Sequence, residues 1–336
     1  MILTLMMVAF FISVLLTQYF SHPQNKLCIL DKPNARSLHT HPVPIIGGIA
    51  ILTGLAFSAI FTYWYYAPAP YFLWIGFSGL LIAIVSFIDD CYHISALYRL
   101  FVHFIATILF LWQGEFWLTH LTLPNVTWEL PPFLQMSLSF LFVVWMLNLY
   151  NFMDGMDGFA GGMGIFGFGT FAVFGGLADH SLFLTINLIV ASAIGGFLIF
   201  NFPPAKIFMG DTGASSLGFL AAAFSLWGNR ESIFPLWVAI LLFSPFIVDA
   251  TITLFRRTLR GEKIWLAHKS HYYQRLVQLG WGHKRTVLWE YALMAICSFS
   301  AILALFLPIY AQWCLLIGWF FIYIILIYIV NFLEQY

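Results

Sequence analysis

The sequence predicts an all-α protein that crosses a membrane many times. Of its 336 residues, 62% are hydrophobic and 8% are charged, whereas a soluble protein carries about 25% charged residues. Its apolar runs are continuous rather than alternating, which favours spanning helices over strands. Many of these runs approach the roughly 20 residues that a helix needs to cross a bilayer. We therefore expect a polytopic membrane protein.

Eleven runs are apolar and long enough to be considered as transmembrane helices. They cover roughly residues 1–20, 45–66, 71–88, 99–117, 133–150, 159–177, 182–200, 214–228, 233–255, 287–308 and 311–332. The run at 214–228 is the shortest of them. The first run lacks both a preceding positive segment and a small-residue cleavage site, so we expect a retained helix rather than a signal peptide.

The positive charges predict the orientation, because Lys and Arg accumulate in cytoplasmic loops. If the first helix starts outside, every Lys and Arg except Arg230 falls on the cytoplasmic side. This places the N-terminus outside and the C-terminus in the cytoplasm. The predicted cytoplasmic loops cover about residues 21–44, 89–98, 150–160, 201–213 and 256–286. The chain shows no linker, so we treat residues 1–336 as one domain.

Asp89 and Asp90 end the third predicted span, on the cytoplasmic side. Ionisable residues at membrane depth are costly and often mark a functional site. Adjacent carboxylates can bind Mg²⁺, or one of them can act as a base. A solvated helix terminus is an equally simple interpretation of these two residues alone.

Asn151, Asp154 and Asp157 follow the fifth predicted span at intervals of three residues. On a helix this spacing places them along one face, whereas Gly155 and Gly158 could loosen the segment into a loop. Polar groups on a glycine-rich backbone can approach a nucleotide closely. The alternative is an ordinary polar turn.

Asn201, Phe208 and Asp211 lie in the next acidic loop, where Gly210 and Gly213 flank the aspartate. These glycines would let a metal–phosphate complex approach the backbone, and Phe208 could stack on a base. Asp211 could instead act simply as a helix cap. The loops that contain His41 and His271 are basic, which suits either phosphates or anionic lipids.

The order of these motifs resembles that of the polyprenyl-phosphate N-acetylhexosamine-1-phosphate transferases, glycosyltransferase family 4. The resemblance covers about residues 31–285 and looks closest to bacterial members that initiate O-antigen synthesis. Its motifs are Asp31-x-Pro33-Asn34-x-Arg36-x-x-His39, Pro44 followed by Gly47-Gly48, Asp89-Asp90, Asn151-x-x-Asp154-Gly-x-Asp157-Gly, Gly210-Asp211-Thr212-Gly213, and a histidine loop with Gly280-Trp281.

The resemblance implies a reaction at the cytoplasmic face of a bacterial inner membrane, with the N-terminus in the periplasm. Undecaprenyl phosphate would attack the β-phosphorus of a UDP-N-acetylhexosamine, giving undecaprenyl-diphospho-sugar and UMP. This step starts a lipid-linked surface glycan such as O-antigen. A homodimer is possible by the same resemblance, and no nucleic-acid partner is expected.

The resemblance also implies roles for individual residues. Asp211 would bind Mg²⁺, with Mn²⁺ as a possible substitute, and Asp89 and Asp90 would lie next to the lipid phosphate. His271 would contact the phosphates, and His41 stands where some relatives have lysine. The residues that would shape the nucleotide site are Asn151, Asp154, Asp157, Asn201 and Phe208, the last against uracil.

The sequence departs from the family pattern at the histidine loop, at His41 and His93, where some relatives have lysine, and at Ile45-Ile46. The family's His-x-His-His appears here as His271 followed by Tyr272, Tyr273 and Gln274. A transporter with broken helices would show an internal repeat, and none is visible. An intramembrane prenyltransferase would need an Asp-x-x-x-Asp pattern at both acidic motifs. Asp90 does not begin such a pattern, because Cys, Tyr, His and Ile follow it.

Overall fold

A computed structural model describes residues 1–22, 29–33, 38–39, 41–263 and 268–335. Within these ranges the protein is mostly helical with very little sheet, which confirms the all-α prediction. The helices are α1 Ile2–Phe20, α2 Gly47–Tyr66, α3 Phe72–Tyr92, α4 Ala96–Gly114, α5 Pro132–Met153, α6 Phe159–Leu177, α7 Ser181–Asn201, α8 Gly210–Arg230, α9 Leu236–Leu242, α10 Ser244–Leu259, α11 Tyr272–Leu276, α12 Gly282–Ala304 and α13 Ile309–Leu333. A π-helical segment, Val277–Trp281, joins α11 to α12.

Two short antiparallel hairpins complete the described secondary structure. Strand β1, Leu30–Asp31, pairs with β2, Val43–Pro44. Strand β3, His120–Leu123, pairs with β4, Val126–Glu129. The second hairpin lies between α4 and α5, so it marks one end of the helical bundle.

Nine helices in the described chain are long and apolar enough to cross a membrane, or ten if a bent pair counts as one span. The bent pair is α9 and α10, which meet at an angle of 79°, so the predicted run 233–255 is not one straight helix. Pro245 lies in the first turn of α10, a position where its fixed φ and missing N–H suit the start of a new helix.

Helix α8 corresponds to the eighth predicted span, 214–228, and it differs from the others in composition. It has 21 residues, or about 31 Å at 1.5 Å per residue, which is enough to cross the bilayer. Its residues Thr212 to Asn229 are all buried inside the protein. A helix surrounded by other helices needs no lipid-facing surface, which explains why its many small residues are tolerated.

The start of α8 packs closely against the start of α2. A Cβ atom added to Gly48 would lie 2.3 Å from the backbone nitrogen of Gly213, so the two backbones touch where glycine is present. The Gly48 amide also donates to the Met209 carbonyl at 2.8 Å. This contact fixes the position of the loop that precedes α8.

The bundle has two chemically different ends. The acidic end contains the C-terminal ends of α3 and α5 and the N-terminal end of α8, with Asp89, Asp90, Asp154, Asp157 and Asp211. The hairpin end contains β3, β4 and Arg230, the last residue of α8. The acidic motifs of α3, α5 and α8 thus lie at the same end of the bundle.

Candidate active site

The Asp90 side chain caps the N-terminus of α8. Its carboxylate accepts hydrogen bonds from the backbone amides of Asp211 at 2.9 Å and Thr212 at 3.0 Å, and from the Thr212 hydroxyl at 2.5 Å. Such bonds satisfy amides that have no partner within the helix, and the negative charge complements the helix dipole. Asp90 thus caps a helix more than 100 residues away in sequence and is 6% exposed.

Gly210 makes this capping contact possible. It has a positive φ of 72°, a conformation that glycine adopts without the cost that a side chain would bring. A Cβ there would lie 2.3 Å from the Ile45 carbonyl oxygen and 2.9 Å from Asp90 Oδ2. The glycine before Asp211 therefore serves the close approach of α3 to the start of α8.

Asp89 and Asp211 share one cationic partner, Arg99 in the first turns of α4. The Arg99 Nη1 atom donates to Oδ2 of both carboxylates. The three side chains remain partly accessible, with relative exposures of 12% for Asp89, 31% for Asp211 and 22% for Arg99. Adjacent residues Asp89 and Asp90 thus have different surroundings, since one faces a side-chain cation and the other a helix terminus.

The Asp157 side chain stands at the turn between α5 and α6. Its Oδ2 atom accepts a hydrogen bond from the Ala205 amide at 3.0 Å, and its Oδ1 atom lies 3.0 Å from Nδ1 of His283 on α12. Asp157 therefore joins the 154–158 turn to the loop before α8 and to the start of α12.

Asn201 and Tyr291 hold the same turn from two other helices. The Asn201 Oδ1 atom accepts from the Gly158 amide at 3.0 Å, and its Nδ2 atom donates to the Ile207 carbonyl at 2.9 Å. The Tyr291 hydroxyl donates to the Gly158 carbonyl at 2.6 Å. Both sides of the Asn201 amide are thus used by the backbone of the acidic loops.

Asp154 is half-buried beside these residues. Burial raises its pKa well above the ordinary aspartate value, and the charges of Asp211, Asp90 and Asp157 raise it further. The nearby Asn151 donates to the Ser215 hydroxyl at 3.4 Å. The acidic motifs from α3, α5 and α8 therefore form one electrostatically coupled cluster, and its excess of negative charge disfavours ionisation of Asp154.

His271 lies in a separate buried contact next to this cluster. Its Nδ1 atom is 3.2 Å from Asp249 Oδ1, and the same carboxylate accepts from the Tyr272 and Tyr273 amides at 2.9 and 3.1 Å. The Tyr273 hydroxyl donates to the Phe152 carbonyl at 3.4 Å. The loop is therefore anchored by Asp249 and reaches the acidic turn through Tyr273.

The ring of His268 lies against that of His271, with centroids 4.7 Å apart and planes tilted by 35°. Burial lowers the pKa of His268 to about 4, and the charges of His271 and Arg257 act in the same direction. Arg275, also in this loop, pairs with Glu334 at the end of α13, with Nη2 and Oε2 2.5 Å apart. Two basic residues of this loop are therefore not free to neutralise phosphates: His268 is neutral near pH 7, and Arg275 is paired with Glu334.

The loop between β2 and α2 meets the loop before α8 at Phe208. The Phe208 amide donates to the Pro44 carbonyl at 2.7 Å, and its half-buried ring lies 5.0 Å from the ring of His39. His41 is exposed on the segment that leads into β2. His39 is thus the histidine that contacts Phe208, while Asn34 and Arg36 lie outside the described residues.

The structure therefore brings Asp89, Asp90, Asp154 and Asp211 into one cluster and leaves His271 anchored beside it. It also adds four residues that the sequence motifs did not select, namely Arg99, Asp249, His283 and Tyr291. Arg99 offered a weak signal as a lone cation close after Asp89-Asp90. The other three act through contacts between segments far apart in sequence, which spacing alone does not reveal.

This arrangement suits phosphate chemistry more than hydride or acyl transfer. One oxygen of Asp89 and one of Asp211 approach the same Arg99 nitrogen, and carboxylate oxygens are ligands that Mg²⁺ prefers. The guanidinium of Arg99 on α4 is a group that can bind phosphate oxygens. Carboxylates that can bind a metal ion, next to an arginine that can bind phosphate, are the groups expected around a metal–phosphate ligand.

Comparison with known proteins points to the same chemistry. Residues 71–229 match the family described as Glycosyl transferase family 4. Over 303 residues the chain is 30% identical to a probable undecaprenyl-phosphate N-acetylglucosaminyl 1-phosphate transferase of Bacillus subtilis, covering 88% of this chain and 84% of the relative.

Two further relatives have similar names. A decaprenyl-phosphate N-acetylglucosaminephosphotransferase of Mycobacterium leprae is 30% identical, covering 84% of this chain and 78% of the relative. An undecaprenyl-phosphate alpha-N-acetylglucosaminyl 1-phosphate transferase of Yersinia pestis is 26% identical, covering 87% and 81% respectively. With full-length similarity of this kind and the acidic motifs gathered at one end of a polytopic bundle, the chain belongs to glycosyl transferase family 4, within the polyprenyl-phosphate N-acetylhexosamine-1-phosphate transferase superfamily.

Proposed function

We propose that the protein transfers N-acetylhexosamine-1-phosphate from a UDP-sugar to undecaprenyl phosphate at the cytoplasmic face of a bacterial inner membrane. The general class, a polyprenyl-phosphate N-acetylhexosamine-1-phosphate transferase, follows from the family. The observation that carries the finer proposal is the convergence of Asp89, Asp154 and Asp211 on one end of the bundle, beside Arg99.

The reaction exchanges one phosphoanhydride bond for another. An oxygen of the lipid phosphate attacks the β-phosphorus of the UDP-sugar, the bond between the α- and β-phosphates breaks, and UMP leaves with the electron pair of that bond. Near neutral pH the lipid phosphate is largely deprotonated, since its second pKa is about 6. Charge neutralisation and in-line positioning therefore carry most of the catalysis.

A divalent cation fits the donor set of the acidic end. Asp89 and Asp211 already direct one oxygen each at a single cationic nitrogen, that of Arg99. No group of three His, Cys, Asp or Glu residues in the described ranges forms a metal cage, and Mg²⁺ commonly uses one or two carboxylates plus substrate phosphates and water. When bound, Mg²⁺ or Mn²⁺ would neutralise the developing charge on the diphosphate.

Other residues of the cluster would position the nucleotide and the phosphates. Asn151 lies in the last turn of α5, Asp154 and Asp157 lie in the turn that follows, and Asn201 supports that turn through Gly158. Phe208 offers a half-buried ring for uracil. His271 would contact the phosphates, and its contact with Asp249 would orient the imidazole, since a carboxylate at one ring nitrogen fixes the tautomer.

The sugar and the pathway are further parts of the proposal. The relatives' names specify N-acetylglucosamine, so UDP-N-acetylglucosamine is the first donor to test. The product would start a lipid-linked surface glycan such as O-antigen, and a homodimer is a reasonable assembly. A site that pairs a polar group with a sugar hydroxyl would discriminate against 6-deoxy sugars by a large factor.

Release of UMP tests the proposal directly. Purified protein in detergent would be incubated with undecaprenyl phosphate, Mg²⁺ and each of several UDP-N-acetylhexosamines, including 6-deoxy forms. We expect UMP release that requires the lipid and is largest with one sugar. Folded protein that releases no UMP from any donor, while consuming a prenyl diphosphate, would place it in the prenyltransferase class instead.

A further inference from the structure

Arg99 occupies the position between the two carboxylates that would bind the divalent cation. A single atom, Nη1, donates to Oδ2 of Asp89 and to Oδ2 of Asp211. Because one nitrogen reaches both oxygens, the carboxylates lie close enough for one cation to contact both. The gap between these two oxygens has room for either the Arg99 nitrogen or a metal ion, but not for both at once.

The local charges favour exchange of one cation for the other. Asp89 and Asp211 carry two negative charges, and the guanidinium neutralises one of them. The Asp90 carboxylate lies next to this pair, since it accepts from the Asp211 amide at 2.9 Å. A divalent cation would neutralise the facing pair more completely than the arginine, at the shorter distances typical of metal–oxygen contacts.

Arg99 also has a route away from the carboxylates. Its side chain is 22% exposed, and it lies close after Ser95, which caps the start of α4 by accepting from the Leu97 amide at 3.3 Å. The guanidinium can therefore move toward solvent while α4 stays in place. A long, flexible side chain at an exposed helix start is suited to such a movement.

We propose that Arg99 is a displaceable counter-ion that holds Asp89 and Asp211 together in the metal-free protein and leaves them when the divalent cation binds. This inference rests on the proposed metal site. It predicts that metal binding and release of the guanidinium are coupled, so Arg99 lowers the apparent affinity for the metal while stabilising the protein in its absence.

Metal binding by the Arg99→Gln variant tests this coupling without any substrate. Protein stripped with EDTA would be titrated with Mn²⁺, and free Mn²⁺ would be followed by electron paramagnetic resonance. We expect the variant to bind Mn²⁺ about tenfold more tightly than wild type, because a competing unit charge is gone. Equal or weaker binding by the folded variant would overturn the proposal.

Thermal unfolding gives a second, independent measurement. Metal-free Arg99→Gln should unfold at a lower temperature than wild type, because two facing carboxylates lose their shared cation, and saturating Mn²⁺ should raise its melting temperature more than that of wild type. Arg230→Gln is the matched control, since it makes the same change at the other end of α8. Its melting temperature should fall without altering the affinity for Mn²⁺.

Two further variants separate this inference from the proposed function. Asp211→Asn should weaken Mn²⁺ binding strongly; unchanged binding there removes the metal site itself and the counter-ion role with it. If Asp211→Asn binds Mn²⁺ much more weakly while Arg99→Gln binds it with unchanged affinity, the counter-ion role is rejected and the metal site is kept. If Arg99→Gln does not fold, Arg99→Lys replaces it, with a smaller gain in affinity expected because one charge remains on a shorter side chain.

Discussion

The two ends of helix α8 use charge in opposite ways. At the hairpin end, Arg230 donates to the carbonyls of Gly114 and Glu115 at 3.0 and 3.1 Å and lies over the rings of Tyr71 and Phe116, 4.5 and 5.3 Å from their centroids. The arginine closes a helix C-terminus that favours positive charge. This charge is fully used in holding neighbouring helices together.

At the acidic end, the helix terminus needs far less charge than is present. Among the described residues, Asp90 is the carboxylate that accepts from the first amides of α8, so Asp89, Asp154 and Asp211 are not required for that cap. Asp154 is so disfavoured as an anion that its pKa is raised. The surplus of acid is costly for stability, which indicates that it is retained for a cationic or metal-bound ligand.

Asp211→Asn should have the largest effect on this comparison. Loss of the charge on a metal ligand should reduce the rate of UMP release by about 1,000-fold or more. Asp179→Asn is the matched control, because Asp179 is exposed in the turn after α6, at positive φ, where asparagine is well tolerated. Substantial turnover by Asp211→Asn at saturating Mg²⁺ would exclude the metal role.

Asp90→Asn should separate the capping role from the catalytic one. An amide has one oxygen to accept from α8 and lacks the charge that favours a helix N-terminus, so we expect about 1–2 kcal/mol less stability. Because Asp211 follows directly in that first turn, UMP release should fall by about 10- to 100-fold.

Arg230→Gln is the control for Asp90→Asn at the opposite end of the same helix. It should lower the free energy of unfolding by a similar amount and leave the turnover number within about twofold, since it loses hydrogen bonds far from the acids. If Asp90→Asn lost activity with unchanged thermal stability, Asp90 would be assigned a direct contact with substrate instead of a cap.

Asp154→Asn should stabilise the metal-free protein, in contrast to Asp90→Asn. The folded-state pKa of Asp154 is raised, so ionisation above about pH 4, the unfolded value, disfavours the folded state. The gain in melting temperature should therefore be larger at pH 7 than at pH 5. A melting temperature that falls at both values would mean that the charged form of Asp154 is held by a partner.

Much of the fold was predictable because hydropathy and charge act locally along the chain. The predicted starts and ends of most spans lie within a few residues of the helices, and the acidic motifs do meet at one end. Hydropathy was least informative for α8, which packs against protein rather than lipid, and for the break at Phe243, where Pro245 was the available signal.

The site was less predictable because its key contacts join distant segments. Asp90 and Thr212 are 122 positions apart, and Arg99 and Asp211 are 112 apart. The sequence pattern identified acidic residues of the right type but assigned Asp89 and Asp90 to one role. Their different partners follow from helix packing, since successive residues at the end of α3 point to different neighbours.

His120→Ala should have the smallest effect and tests the difference between the two ends most simply. His120 begins β3 at the hairpin end, where its Nδ1 atom lies 2.9 Å from the Thr119 hydroxyl. Removing one exposed hydrogen bond changes stability little, and Asp89 and Asp211 lie at the opposite end of the bundle, so kcat and KM should stay within about twofold of wild type. A large loss of UMP release in this variant would place substrate at the hairpin end, and the orientation predicted from the positive charges would then have to be reversed.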